Sequence, residues 1–105
     1  MIIRGGENIY PKEIEDALYR MPGIVDAHVV GLPDPIHGER VVAAVRVAAG
    51  AAVGPDDVLT FCRAHLSRRN LPQAVVIRAD FPVTASGKIR KNVLREELAA
   101  DLPPA

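Results

Sequence analysis

A single cysteine, no tryptophan and a formal net charge of zero set the first limits on this chain of 105 residues. One cysteine, Cys62, excludes a disulfide framework within the chain and a cysteine-based metal cluster. A reducing, cytoplasmic compartment is the simplest expectation. Aromatic residues amount to 4%, too few for a platform that stacks nucleobases. Zero net charge removes the long-range pull towards nucleic acid or anionic lipid. No apolar run approaches the roughly 20 residues of a membrane helix. The opening Met1-Ile2-Ile3 meets Arg4-Gly5-Gly6 before it can serve as a signal peptide. His28, His37 and His65 lack a metal-ligand spacing such as i and i+4 on one helix. No Ser-His-Asp arrangement can be assembled, and no metal site is expected.

What remains is a soluble, single-domain composition, 49% apolar and 25% charged. A domain of this size has little room for a deep substrate cavity. Residues 1–4 and 7–10 read as a small hairpin around Gly5-Gly6. Pro11 suits the first turn of a helix, where its missing N–H costs nothing. Ile14, Ala17, Leu18 and Met21 mark that helix's buried face, and Pro22-Gly23 stops it. Glu13 and Glu15, two apart, point to different faces and serve as charge favourable to the helix N-terminus. Val25, Ala27 and Val29 alternate with Asp26 and His28 as a half-buried strand, His28 being a plain strand residue.

Residues 31–38 carry Pro33 and Pro35 and read as a loop, and 41–47 as a strand rich in β-branched residues. The stretch 48–52 reads as a low-complexity loop. Pro55 opens a second helix, with Asp56 and Asp57 in its first turn and Val58, Leu59, Cys62 and Leu66 inward. Cys62 reads as buried and inert rather than nucleophilic, and His65 as a helix-surface residue. Arg63, Arg68 and Arg69 are expected to gather at that helix's C-terminal end. Asn70-Leu71-Pro72 breaks the chain before a strand at 74–77. A turn-rich loop at 81–87 then leads to a third helix at 91–100, with Val93, Leu94 and Leu98 inward, and a frayed tail at 101–105. The order predicts an α+β fold: a small β-sheet with about three packed helices and an N-terminal β-hairpin.

Three segments carry more than composition. Residues 2–15 contain Gly5-Gly6-Glu7-Asn8-Ile9-Tyr10-Pro11. Residues 31–39 read Gly31-Leu32-Pro33-Asp34-Pro35-Ile36-His37-Gly38-Glu39. Residues 82–91 contain Pro82-Val83-Thr84-Ala85-Ser86-Gly87-Lys88. These resemble, in order and over nearly the whole chain, the C-terminal domain of the adenylate-forming (AMP-binding) acyl-CoA synthetase/ligase superfamily, in its CoA-ligase form. The resemblance implies a two-step enzyme. A carboxylic acid and ATP give acyl-AMP and pyrophosphate, and CoA then gives the thioester and AMP. It also implies that ATP, Mg²⁺ and the acid are held by a large N-terminal domain of the same enzyme. That domain and its hinge are absent from this sequence, so the chain alone is expected to be inactive.

The resemblance assigns residues to each step. Lys88 is the catalytic lysine of adenylation, where a carboxylate approaches an α-phosphate and a positioned ammonium lowers the cost of two anions meeting. Gly87 lets the backbone fit against a nucleotide, and Thr84 and Ser86 cap the turn or bind phosphate. Read without the resemblance, 88–91 is only a basic turn before a helix. Gly5 and Gly6 line the pantetheine channel of the second step, or form an ordinary hairpin turn, or both. His37, Arg69 and Asn70 fall at the CoA nucleotide positions but depart from the family's aromatics and lysine. Arg69 can still stack on adenine or pair with phosphate; otherwise the arginines only complement a helix end. An exposed Lys88 also suggests a lysine acetyltransferase as a partner, since acetylation removes the charge. The alternative to a ligase domain is a stand-alone nucleotide- or CoA-binding or interaction module that works with a separate large subunit.

Overall fold

The most β-branched run of the sequence becomes the centre of the sheet. The computed structural model describes residues 1–102; the last part of the expected tail, 103–105, lies outside the described residues. Its strands are β1 (Ile2–Arg4), β2 (Glu7–Ile9), β3 (Ile24–Asp34), β4 (Gly38–Val47) and β5 (Ala74–Ile77). Its α-helices are α1 (Pro11–Tyr19), α2 (Pro55–His65) and α3 (Lys91–Asp101), and a 3-10 turn spans Arg68–Asn70. The sheet runs β2-β1-β4-β3, with β5 also on β4. Antiparallel β3 covers one edge of β4 from Ile24↔Val47 to Asp34↔Gly38. The other edge is shared: β1 touches it at Arg4↔Gly38, and β5 runs parallel along Val42–Val45. Parallel pairing needs a crossover, and the segment containing α2 supplies it. Gln73 fills the junction, its Oε1 accepting from Val41 N at 2.6 Å and its N donating to Val41 O at 2.8 Å.

The period-2 alternation of β4 sorts the core into two layers. Val41, Ala43 and Val45 face α1 and α2, packing with Ile14, Leu18, Val58 and Cys62. Val42 and Ala44 face the other way, under Leu94 and Leu98 of α3. The α+β expectation therefore holds, with helices on both faces of a mixed sheet. Cys62 is buried, and that burial raises its thiol. His65 is exposed, as expected.

Four expectations need correction. Residues 31–38 are not a loop. Strand β3 continues to Asp34 and the turn is only 35–37. Pro33 is tolerated because β3 is an edge strand of the sheet, where a missing N–H breaks no ladder. Val25 is exposed and Ile24 is buried, because a register shift between Ile24 and Asp26 puts Ile24 on the core face with Ala27 and Val29. Arg68 and Arg69 do not extend α2, which ends at His65; they occupy the separate 3-10 turn. Glu13 and Glu15 are not merely charges at a helix end. Glu13 Oε2 accepts from Asn70 Nδ2 at 3.1 Å. Glu15 Oε2 accepts from Val29 N at 2.8 Å and from Lys91 Nζ at 2.7 Å.

Candidate functional site

Chemistry-bearing residues collect at two places, near opposite ends of the β3–β4 hairpin. The first is the segment between β5 and α3. Val83 and Ile89 bridge antiparallel. Thr84 N donates to Lys88 O at 2.8 Å, and Gly87 N donates to Thr84 O at 2.9 Å. This is the bonding of a three-residue hairpin loop with glycine in the left-handed position, and Gly87 has φ +86°. The hydroxyls of Thr84 and Ser86 lie 3.1 Å apart, and Thr84 Oγ1 also accepts from Lys88 N at 3.1 Å. Both hydroxyls are thus engaged in shaping the turn. Lys88 stands exposed at its end. Among the described residues its ammonium has no hydrogen bond or ion pair, whereas Lys91, three residues on, is locked to Glu15. Asp26 and His28 line a depression of ≈ 490 Å³ with Val83, Gly87, Lys88 and Ile89.

The second place lies at the turn of the β3–β4 hairpin. A groove of ≈ 440 Å³ is lined by Arg4, Gly5, Glu7, Asp34, His37 and Gln73. Gly5 and Gly6 have φ +56° and +81°, the two positive angles that a type I′ hairpin turn requires. Gly5 N donates to His37 O at 2.8 Å, which ties the two turns together. Arg4 donates to Arg69 O and Leu71 O, both at 3.4 Å, and Arg69 Nε lies 3.8 Å from Glu7 Oε2. Gly5, Gly6, His37 and Arg69 therefore share one neighbourhood. Asn70 does not present its side chain there: it is buried on Glu13 and anchors the 3-10 turn that carries Arg69.

Asp34 shapes the groove's rim. Its Oδ1 accepts from His37 N at 2.9 Å and from Ile36 N at 2.8 Å, and these bonds, His37's first, hold the carboxyl below its ordinary range. A depressed carboxyl stabilises the turn above its unfolded value, and the contribution fades as pH falls through the folded value. The Ile36 and His37 amide proton shifts are expected to titrate together with a midpoint below the ordinary carboxyl value of about 3.9. Asp34→Asn, which keeps an acceptor without a charge, should abolish the titration. A midpoint at or above that value would sever the tie between Asp34 and this turn.

Sequence reasoning missed Arg4, Glu7 and Gln73 as groove walls and Asp26 and His28 as neighbours of Lys88. The first two flank Gly5-Gly6 and were open to suspicion; Gln73, Asp26 and His28 carry no local signal. The two places are separated by the length of β3 from His28 to Asp34, on the order of 20 Å at a strand's rise per residue. No helix among the described residues is long and apolar enough to cross a membrane. No group of three or more His, Cys, Asp or Glu among them fits a metal ion.

A sequence model of the AMP-binding enzyme C-terminal domain matches residues 13–88. A Bacillus subtilis (strain 168) protein with the provisional name acyl-CoA synthetase YngI is 46% identical over 97 residues, 92% of this chain and 18% of its own. The fold superposes on a Mycobacterium tuberculosis fatty acyl CoA synthetase with a TM-score of 0.90, at 40% identity, over 98% of this chain and 20% of that one. ATP-bound MatB from Rhodopseudomonas palustris gives a TM-score of 0.87 at 40% identity, over 90% and 19%. The chain thus spans about a fifth of the length of each. With most of its length matched and the Lys88 hairpin and Gly5-Gly6 turn built as described, the chain belongs to the AMP-binding enzyme C-terminal domain family.

Proposed function

We propose that the chain is the catalytic lid of an ATP-dependent carboxylic acid–CoA ligase, working against a large N-terminal domain of the same enzyme. The observation that carries this reading is Lys88: an ammonium with no partner among the described residues, at the end of a hydrogen-bonded hairpin. In the first step Lys88 sits between the attacking carboxylate and the α-phosphate of ATP and offsets the negative charge that gathers there. The large domain keeps the acid, the nucleotide and Mg²⁺. In the second step the other end of the lid acts. Gly5 and Gly6 give pantetheine a slim path, with His37 and Arg69 beside the CoA nucleotide and Asn70 holding Arg69 in place.

Two functional ends on the order of 20 Å apart cannot serve one reacting carbon in a single pose. The separation supports a rotation of the lid between the half-reactions. ATP bound in the Rhodopseudomonas palustris relative, and the acyl-CoA synthetase names of the others, support the cosubstrates. The test is to measure the half-reactions separately on the joined enzyme: pyrophosphate release from acid plus ATP, and thioester formation from supplied acyl-AMP plus CoA. Lys88→Ala must separate them; if it alters neither, the reading fails. The acetyltransferase reading of Lys88 is a proposal of the same kind. Its side chain is exposed, and acetyltransferase treatment of the joined enzyme is expected to modify Lys88 and to stop adenylation. Mass spectrometry finding Lys88 unmodified would end that idea.

A further inference from the structure

The loop that presents Lys88 meets the rest of the fold through its two ends. Residues 83–88 are all exposed, and the bonds among Thr84, Ser86, Gly87 and Lys88 are internal to the loop. At the C-terminal end Ile89 packs against the α3-side core, and Lys91 Nζ donates to Glu15 Oε2 at 2.7 Å and Val29 O at 3.1 Å. At the N-terminal end the contact is Phe81. The His28 ring meets Phe81 edge-on, with centroids 4.7 Å apart and planes at 75°. The Arg78 guanidinium lies 5.8 Å from the Phe81 centroid and is itself bound to Glu97 at 2.7 Å.

His28 is held in turn. Its Nε2 lies 3.0 Å from Asp26 Oδ1. The same oxygen accepts from the Tyr19 hydroxyl at 2.7 Å and from Ala27 N at 3.1 Å. Burial foremost, with the Asp26 carboxylate adding to it, raises the Tyr19 phenol, so it stays a donor through neutral pH. On β3, His28 shares a face with Val30 and Leu32, which pack under α3. A plain apolar residue would serve burial at this position. Histidine adds an orientation, because its Nε2 lies against the Asp26 carboxylate while the ring meets Phe81.

We infer that His28, fixed by Asp26 and Tyr19, is a positioning residue for Lys88: it sets where the loop leaves the sheet, while Lys91 fixes where it returns. The inference rests on the adenylation role proposed for Lys88. An electrostatic catalyst is sensitive to place, and a misplacement of 1 Å can cost up to about a hundredfold. Without the His28 ring, Phe81 keeps the α3-side core and the Arg78 guanidinium as neighbours but loses the edge-on ring that meets it from β3.

Two readouts test this. By NMR on this chain at fixed pH, His28→Ala is expected to speed exchange of the Thr84, Gly87, Lys88 and Arg90 amides by roughly tenfold, the opening of a local unit, while the Cys62 amide keeps its rate. In the joined enzyme the same variant should lower kcat for pyrophosphate release on the order of tenfold, leave KM for ATP in place, and spare thioester formation from acyl-AMP. His28→Phe keeps a ring against Phe81 and should recover part of both losses; it also covers the case in which the alanine variant fails to fold. Loop amides that exchange at the parent rate overturn the inference, as does equal loss in both half-reactions. Faster exchange with adenylation intact overturns it too. If instead Lys88→Ala leaves adenylation intact, the function reading fails, and the amide rates still report whether His28 holds the loop.

Discussion

Lys88→Ala in the joined enzyme is expected to slow pyrophosphate release from acid and ATP by about a hundredfold or more, the usual cost of removing one preorganised electrostatic group. Thioester formation from supplied acyl-AMP and CoA should stay within about twofold of the parent, well inside the tenfold that 1.36 kcal/mol would produce. The asymmetry follows from where charge develops. Carboxylate attack on the α-phosphate brings two anions together, and a unit charge about 4 Å away contributes on the order of 4 kcal/mol at an intermediate dielectric. Thiol attack on acyl-AMP makes no such demand on this ammonium, and the groove proposed to serve it lies at the far end of β3. Loss of fold does not explain the effect. The Lys88 side chain is exposed and has no partner among the described residues, and its backbone bonds to Thr84 survive truncation. The stability change should be within about 0.5 kcal/mol, as for other surface sites, and urea unfolding would check it. Lys88→Arg should restore little, because a planar guanidinium cannot occupy the place of a compact ammonium.

Local physics made much of the fold readable in advance. Pro11 and Pro55 open helices where a missing N–H is free, and Ile14, Ala17 and Leu18 form the buried stripe that their spacing predicts. The Ser86-Gly87 turn is where its residues put it. The misreadings share one cause: each residue's role is set by a partner far along the chain. Pro33 is acceptable in a strand only because β3 lies at the sheet's edge, a fact of strand order. Ile24 takes the core position expected of Val25 because of a bulge against β4. Glu13 and Glu15 bond across 57 and 76 residues to Asn70 and Lys91. His28 looks like any polar strand residue until Phe81, 53 positions later by subtraction of their numbers, is laid against it. The motifs singled out Lys88 and Gly5-Gly6 as candidate sites, but not that a strand's length separates them.

Gly6→Asn is expected to separate the two meanings of the Gly5-Gly6 turn. Gly6 sits at φ +81°, and a Cβ built on it meets nothing within 4 Å. The demand for glycine within this chain is therefore one of backbone angle, not of crowding. Asparagine tolerates the left-handed region better than other side chains do, so the variant should keep the hairpin and lose less than about 1 kcal/mol, the scale of such a backbone penalty. Pyrophosphate release, whose proposed lysine sits at the opposite end of the domain, should stay near the parent rate. If the turn lines a narrow path for pantetheine, the added side chain stands in that path, and thioester formation should fall by tenfold or more, equivalent to a cost of about 1.4 kcal/mol or more in the transition state. Gly6→Ala adds less bulk but more backbone strain. The larger catalytic loss should therefore follow Asn, and the larger loss in urea midpoint should follow Ala. That crossed pattern is what a channel predicts. A turn that matters only for folding would instead give rate losses in the same order as the stability losses, and both half-reactions would share them.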